Sequence, residues 1–300
     1  MKGRIKSPCF IPDYTAYEEL LTIFRAFIPI PTPLQPEDNY HISCNKLKNE
    51  ILSHGLSALL LSNPRNPTGQ LIEGEALDQW VKTCKKYRCN IIFDEFYSHY
   101  IYSSSPQSSI MVSAAEYVED VNTDPVIIVD GLTKNWRLPG WRIGWILGPE
   151  EVVEASASAG SFLDGGANHP LQFHALKLFD MNTIQANVKI IQSHFRAKRD
   201  YMVKRLVDMG FGVEFTPKGT FYVWADLSKL PAPVRNGNDF LNACLKEKTI
   251  VVPGVYFDVN PGKRRIYSRW ENYARFSFGP DFNEIKRGLD AVERVVSSFR

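Results

Sequence analysis

The sequence has 300 residues, 44% of them hydrophobic and 23% charged, which suits one large α/β unit or two modest domains. Its 35 basic and 33 acidic residues give a formal net charge of +2 without long blocks of one sign, so nothing favours nucleic acid or an anionic membrane as partner. The N-terminus lacks the apolar stretch of a secretory signal, and no apolar run approaches the roughly 20 residues that span a bilayer. We therefore expect a cytoplasmic protein.

The 5 cysteines and 6 histidines do not favour a metal site. Cys84 and Cys89 form the only close cysteine pair, and no second pair stands at zinc-site spacing. The histidines form no HExxH or similar ligand pattern. We expect reduced thiols, as in most intracellular proteins, and no bound metal.

Four short apolar runs in the first half predict buried β-strands. The runs are 57–63, 90–96, 125–131 and 142–148. Amphipathic helices are predicted at 73–88, between the first two runs, and at 149–164, after the fourth. This alternation predicts an α/β fold with a mostly parallel sheet covered by helices.

The second half predicts a long helix followed by a smaller α/β unit. The helix begins at Met181, carries apolar residues mostly three or four apart, and ends at Gly210. The elements after it are strands at 219–227, 249–254 and 273–279 and helices at 238–248 and from Phe282 onward. We expect a large domain over 1–200 and a small domain over 201–300. The serine-rich segment 103–109 predicts a solvated loop.

Polar side chains follow the first two runs, where open α/β sheets build their ligand sites. In the turn 63–69, of sequence NPRNPTG, prolines and glycine can hold the Asn66 amide rigidly toward a ligand oxygen. Asp94 ends the second run, where a buried carboxylate is costly unless it meets a cation such as a protonated cofactor ring nitrogen. Tyr97 could reach the same ligand. The alternatives are a structural turn, a salt bridge or helix N-cap, and an ordinary buried tyrosine.

Basic side chains stand after the third run and near the C-terminus. Thr133 and Lys134 follow the third run, and a desolvated, cation-rich pocket would lower the pKa of the lysine amine from about 10.4 and activate it toward carbonyls. Arg142 lies eight residues beyond Lys134 and could bind a phosphate through two parallel hydrogen bonds. Arg275, in an aromatic strand, suits either an anionic ligand or a structural carboxylate. An isolated lysine is otherwise a solvated surface residue.

In chain order, these segments resemble the class I/II aminotransferases, fold type I enzymes that use pyridoxal 5′-phosphate (PLP). The turn 63–69 is similar to that family's NPxNPTG motif, 94–97 to its D-x-x-Y, and Thr133-Lys134 with Arg142 to its SxSK and R-x-G segments. Arg275 resembles its late substrate arginine. The resemblance runs from about Pro8 to the C-terminus. It implies a PLP-dependent aminotransferase that acts on an amino acid, or a metabolite derived from one, with a keto acid as second substrate.

The resemblance also assigns roles to residues that match the family motifs. Lys134 would form the Schiff base with PLP and then remove the substrate Cα proton. Asp94 would keep the pyridine nitrogen protonated, which preserves the electron sink of the cofactor. Asn66 and Tyr97 would bind the phenolic oxygen of the cofactor, and Tyr14 would stack on its ring.

The same resemblance places anion-binding groups at both ends of the site. Arg142 and Thr133 would bind the cofactor phosphate, and Arg275 together with Asn66 would bind the substrate α-carboxylate. Gly131 departs from the pattern, because many members have a serine there that supplies a further phosphate-binding hydroxyl.

A second departure concerns the N-terminal region. Family members carry an N-terminal arm and a phosphate-cradling helix start before the position of Tyr14, whereas only 13 residues precede Tyr14 here, so we expect a shortened member. Three functions stay open: an aminotransferase, a PLP-dependent carbon–sulfur or elimination lyase of secondary metabolism similar to the 1-aminocyclopropane-1-carboxylate synthase-like branch, and an inactive truncated relative. The resemblance further implies a homodimer with its active sites at the subunit boundary.

Overall fold

The computed structural model describes residues 5–23, 27–102 and 110–300. The strands are β1 (Ile5–Ile11), β2 (Phe27–Pro33), β3 (Ala58–Ser62), β4 (Asn90–Asp94), β5 (Val126–Gly131), β6 (Gly144–Leu147), β7 (Tyr222–Asp226), β8 (Val252–Pro253) and β9 (Tyr273–Ser277). The helices are α1 (Ala16–Ile23), α2 (Cys44–His54), α3 (Gly74–Tyr87), α4 (Glu150–Leu163), α5 (His169–Ala175), α6 (Met181–Asp208), α7 (Gly237–Lys246) and α8 (Phe282–Ser297). The loop predicted at 103–109 lies outside the described residues. Within the described ranges, no helix has the length and apolar character needed to cross a bilayer.

The larger sheet has six strands in the order β2-β1-β3-β4-β5-β6. All neighbouring pairs are parallel except β5 and β6. The apolar runs that predicted β3, β4 and β5 form its centre, where most of their side chains are buried. The predicted α/β fold with a mostly parallel sheet is therefore confirmed.

The fourth apolar run forms β6, but the prediction that this strand is buried is wrong. The strand pairs antiparallel with β5 at one end of the sheet, and three of its four residues are exposed. Among the described residues, no further strand pairs with its outer edge. An apolar run indicates a strand, but its burial depends on elements elsewhere in the chain that cover it.

The first 54 residues contain two strands and two helices that the sequence interpretation did not assign. β1 and β2 pair in parallel along their whole length, from Ile5 opposite Phe27 to Ile11 opposite Pro33. Prolines at positions 8, 29, 31 and 33 obscured this pairing in the sequence, because proline lacks a backbone donor and argues against a strand. β2 tolerates three of them because it is the edge strand.

The second half follows the predicted order of elements. α6 is the predicted long helix, and β7, β9 and β8 form an antiparallel three-stranded sheet in that order. Each half of the chain contributes side chains to the apolar core of the other. Trp224 and Phe257, from the second half, pack in the core of the large sheet, and Tyr97, from the first half, packs in the core of the small sheet. The division at residue 200 stays a prediction.

Gly131 is required by a close approach between β5 and β6. It pairs with Gly144, and a Cβ at position 131 would lie 2.7 Å from the carbonyl oxygen of Ile143 and 2.9 Å from a ring carbon of Phe96. The structure therefore gives a steric reason for the absence of a serine here.

We predict that Gly131→Ser lowers the free energy of unfolding by about 1–3 kcal/mol, because the added side chain forces β5 and β6 apart. Urea denaturation measures the loss. Gly140→Ser is the matched control, since a Cβ at Gly140 meets no atom within 4 Å. Equal stability of the two variants would contradict the steric explanation.

Candidate active site

A cavity of about 720 Å³ lies at the edge of the large sheet where β3, β4 and β5 end. This volume is within the range of small-molecule sites. The side chains singled out from the sequence all line it, namely Tyr14, Asn66, Asp94, Tyr97, Thr133, Lys134, Arg142 and Arg275. The structure therefore brings together residues that are up to 261 positions apart in the chain.

Strand register explains most of this convergence. Ser62, the last residue of β3, lies opposite Asp94, the last residue of β4, and Asp94 lies opposite Val129 near the end of β5. The segments that follow these three strands consequently leave the sheet side by side. Arg275 reaches the same cavity from β9, in the smaller sheet.

Asp94 is a half-buried carboxylate whose described neighbours include no cation in a salt bridge. Its Oδ2 accepts a hydrogen bond of 2.8 Å from the Tyr17 hydroxyl, and its Oδ1 accepts one of 3.3 Å from the Phe96 backbone N–H. Burial raises the pKa of Asp94 above its ordinary value, although both hydrogen bonds oppose this shift. Asp94 also caps no helix. The described residues therefore leave the carboxylate available to a cationic ligand atom.

Lys134 is a half-buried lysine rather than a solvated surface residue. Burial lowers the pKa of its amine, and the positive charge of Arg275 lowers that pKa further. Within the described part of the chain, Lys134 forms no salt bridge that would restore the charged form. The environment thus favours the neutral, nucleophilic amine.

Arg275 points its guanidinium into the cavity without a carboxylate partner among the described residues. Its Nη1 donates a hydrogen bond of 2.8 Å to Asn66 Oδ1, and the guanidinium carbon lies 3.9 Å from the ring centre of Tyr222 and 4.8 Å from that of Phe257. Its buried Nε has no hydrogen-bond partner. An unpartnered buried donor of this kind suits an incoming anion such as a carboxylate.

The remaining predicted residues border the same cavity. The Tyr97 hydroxyl lies 3.1 Å from that of Tyr222. The Tyr14 ring is partly exposed, with an edge contact to Tyr17. Arg142 is exposed, and its Nη1 donates a hydrogen bond of 3.0 Å to the carbonyl of Pro139.

Sequence reasoning missed several residues of the site. These are Tyr17, which contacts Asp94, and the cavity-lining Ser62, Tyr222, Tyr256 and Phe257. Tyr17 had a detectable signal, since it follows Tyr14 by three positions at the start of a helix. The others carried none, because only folding of the second half against the first brings Tyr222 and Phe257 to this edge.

Comparison with known proteins places the chain in a family. The model of the aminotransferase class I and II family matches residues 9–292. A probable aspartate/prephenate aminotransferase of Aquifex aeolicus is 28% identical over 96% of this chain and 69% of its own length. An LL-diaminopimelate aminotransferase of Natranaerobius thermophilus is 28% identical over 94% of this chain and 68% of its own length.

A solved structure gives the same result for the fold. The aromatic aminotransferase from Pyrococcus horikoshii aligns with 99% of this chain and 74% of its own, with a TM-score of 0.83 and 24% sequence identity. The chain belongs to the class I and II aminotransferases, whose members depend on PLP.

The donor set of the cavity fits this cofactor. Asp94 offers a half-buried carboxylate to a protonated ring nitrogen, and Lys134 offers an amine of lowered pKa to the aldehyde. The Thr133 hydroxyl and the Arg142 guanidinium, which both line the cavity, offer donors to a phosphate. The unpartnered Nε of Arg275 leaves a donor for a substrate carboxylate.

A polar network supports the backbone that carries Lys134. The Asn135 amide donates to Asp130 Oδ1 at 2.9 Å and Oδ2 at 3.1 Å, and also to Ser98 Oγ at 3.0 Å. Burial raises the pKa of Asp130 to about 8, although the hydrogen bonds from the Gly131 N–H and Asn135 oppose this shift. The folded protein therefore holds a proton on Asp130 that the unfolded chain has lost at neutral pH.

We predict that Asp130 makes the free energy of unfolding fall as the pH rises toward 8. The folded-state pKa of Asp130 lies above its unfolded value, so between about pH 4 and pH 8 the folded state binds a proton that the unfolded chain has released. In that window the free energy of unfolding falls by about 1.4 kcal/mol per pH unit from this group, and the fall levels off above pH 8. Asp130→Asn should flatten this dependence, as measured by urea denaturation across the pH range. Asp239→Asn, at an exposed position of α7, should leave the slope unchanged. An unaltered slope in Asp130→Asn would refute this assignment.

Proposed function

We propose that this chain is a PLP-dependent aminotransferase that transfers an amino group from an amino acid, or a metabolite derived from one, to a keto acid. The observation that carries the proposal is the convergence of Lys134, Asp94 and Arg275 on one cavity. Each of these groups is buried or half-buried without a partner of opposite charge among the described residues.

In this proposal, Asp94 supplies the negative charge that pairs with the protonated ring nitrogen of the cofactor. PLP, when bound, provides an electron sink for negative charge that develops at the substrate Cα. Asp94 holds a proton on the ring nitrogen, and the Tyr17 hydroxyl orients its carboxylate through the bond to Oδ2. Tyr14 covers one face of the ring, and Asn66 and Tyr97 bind its phenolic oxygen.

Lys134 and Arg275 act on the substrate in this proposal. Arg275 binds the α-carboxylate together with Asn66, to which it is already hydrogen-bonded. The Lys134 amine would hold the cofactor and then accept the Cα proton, and its lowered pKa makes the neutral form of the amine easier to reach. Thr133 and Arg142 would bind the cofactor phosphate.

We also propose a homodimer. Large apolar side chains on and after α4 and α5 are exposed, including Phe162, Leu163, Phe173 and Leu176. Large apolar side chains exposed in neighbouring helices are typical of a protein interface. The cytoplasmic location and the role in secondary metabolism stay predictions from the sequence.

We predict that the purified chain, after addition of PLP and removal of the excess, retains a visible absorbance band that depends on Lys134. Lys134→Ala should abolish the band because the amine that holds the aldehyde is lost. Lys82→Ala removes an exposed lysine of α3 and controls for modification of surface lysines. A missing band, or one retained by Lys134→Ala, would overturn the proposal and favour an inactive relative.

We predict that amino acid turnover by the PLP-loaded chain requires a keto acid acceptor. A panel of amino acids, assayed with and without 2-oxoglutarate, tests this. The alternative lyase, suggested by the segment from Thr133 to Arg142, would release a keto acid together with ammonia or a thiol and would need no acceptor. Release of these products without an acceptor would show that the chain catalyses elimination and not transamination.

A further inference from the structure

A buried ion pair lies directly behind the cavity. Arg65 Nη1 and Asp13 Oδ2 are 3.1 Å apart, and each residue is only 1% exposed. Burial raises the pKa of Asp13 to about 6, while the charge of Arg65 opposes the rise. Because an apolar pair of similar volume is often at least as stabilising, stability alone is a weak explanation for such a pair.

The second oxygen of this carboxylate holds two other parts of the fold. Asp13 Oδ1 accepts a hydrogen bond of 2.8 Å from the Tyr14 backbone N–H and one of 2.9 Å from the Ser62 hydroxyl. The Asp13 backbone N–H donates to the Phe257 carbonyl at 3.2 Å. The residue thus ties the segment before α1 to the end of β3 and to the second half of the chain.

Arg65 and Ser62 extend these contacts into the turn 63–69. The Ser62 hydroxyl oxygen accepts a hydrogen bond of 3.1 Å from the Asn66 backbone N–H. Arg65 donates its backbone N–H to the Gln70 carbonyl and accepts the Gly69 N–H at its own carbonyl, each at 2.8 Å. Asp13 therefore reaches Tyr14 directly, and it reaches Asn66 through Ser62 and through Arg65.

Tyr14 and Asn66 both line the cavity, and Asn66 also receives Arg275. We propose that Asp13 and Arg65 are positioning residues for the cofactor site, which act by holding Tyr14 and Asn66 in the places where they contact PLP. This inference rests on the proposed function, because it takes PLP as the ligand of the cavity. A shift of about 1 Å in such contacts is sufficient to weaken function strongly.

The test measures the dissociation constant for PLP by titration of the visible band, together with the circular dichroism of that band per bound cofactor. Asp13→Asn keeps the side-chain volume and one acceptor oxygen but removes the charge. Arg65→Met removes the cation, whose guanidinium carbon lies 5.3 Å from the ring centre of Phe10, and leaves a long apolar side chain in its place. Each single variant should weaken PLP binding by about tenfold and reduce the circular dichroism, at a temperature where the variant is folded.

The double variant Asp13→Asn/Arg65→Met shows whether the two residues affect PLP binding through one shared interaction or independently. If the two residues act through one interaction, the second substitution adds little to the first. The dissociation constant of the double variant for PLP then exceeds that of the weaker-binding single variant by no more than about twofold. Multiplied losses would show independent effects and would contradict the pair as one positioning element. Arg65→Met also keeps the test valid if Asp13→Asn fails to fold.

Asp124→Asn is the matched control for loss of a buried carboxylate. Asp124 accepts the Glu119 backbone N–H at 2.7 Å and lies 2.6 Å from Lys85 Nζ, just before the start of β5 and so at the sheet edge opposite the cavity. It should lower the thermal stability without changing the dissociation constant for PLP by more than about twofold. If Asp13→Asn and Arg65→Met behaved like this control, the pair would be merely structural and the inference would be overturned.

The outcome for the wild-type chain separates this inference from the proposed function. A Lys134-dependent band in the wild type, with unchanged PLP affinity in the pair variants, overturns the positioning role alone. Absence of that band in the wild type overturns the proposed function and this inference together.

Discussion

The parallel, in-register pairing of β3, β4 and β5 is the constraint on which the candidate active site depends. Ser62 is opposite Asp94, and Asp94 is opposite Val129, so the three strands end at one edge of the sheet. Each strand is then followed by a segment that carries one polar group of the site: the amide of Asn66, the phenol of Tyr97 and the amine of Lys134. Because parallel strands present their carboxyl ends together, these groups meet without any long-range signal in the sequence.

Burial gives these groups their chemical properties. The same desolvation raises the pKa of Asp94 and lowers the pKa values of Lys134 and Arg275, since each charged form loses contact with water. Within the described residues, none of the three is compensated by a salt bridge. A ligand that combines a protonated ring nitrogen with an aldehyde, and a substrate that carries a carboxylate, would supply the missing partners.

The sequence predicted the site better than it predicted the surroundings of the site. Polar residues after the apolar runs, together with the resemblance to a known family, identified eight residues that do line one cavity. The apolar run of β6 gave the strand but not its exposure, which follows from its position at the sheet edge. β1 and β2 were not predicted because their prolines obscure the strand pattern in the sequence. In the structure the two strands pair with each other, and β2 accommodates its prolines as the edge strand.

The sequence by itself determined the class of fold, the family and the chemical groups of the site, because strand-and-turn patterns and reactive side chains are local properties of the chain. Only the tertiary structure decided which of the unremarkable polar residues support that site. The hydrogen bond from Tyr17 to Asp94, the pair of Asp13 with Arg65, and the ring of Tyr222 beside Arg275 join positions that are 52 to 77 residues apart. Such contacts depend on how strands pair and how the two halves of the chain pack, and no local pattern encodes them.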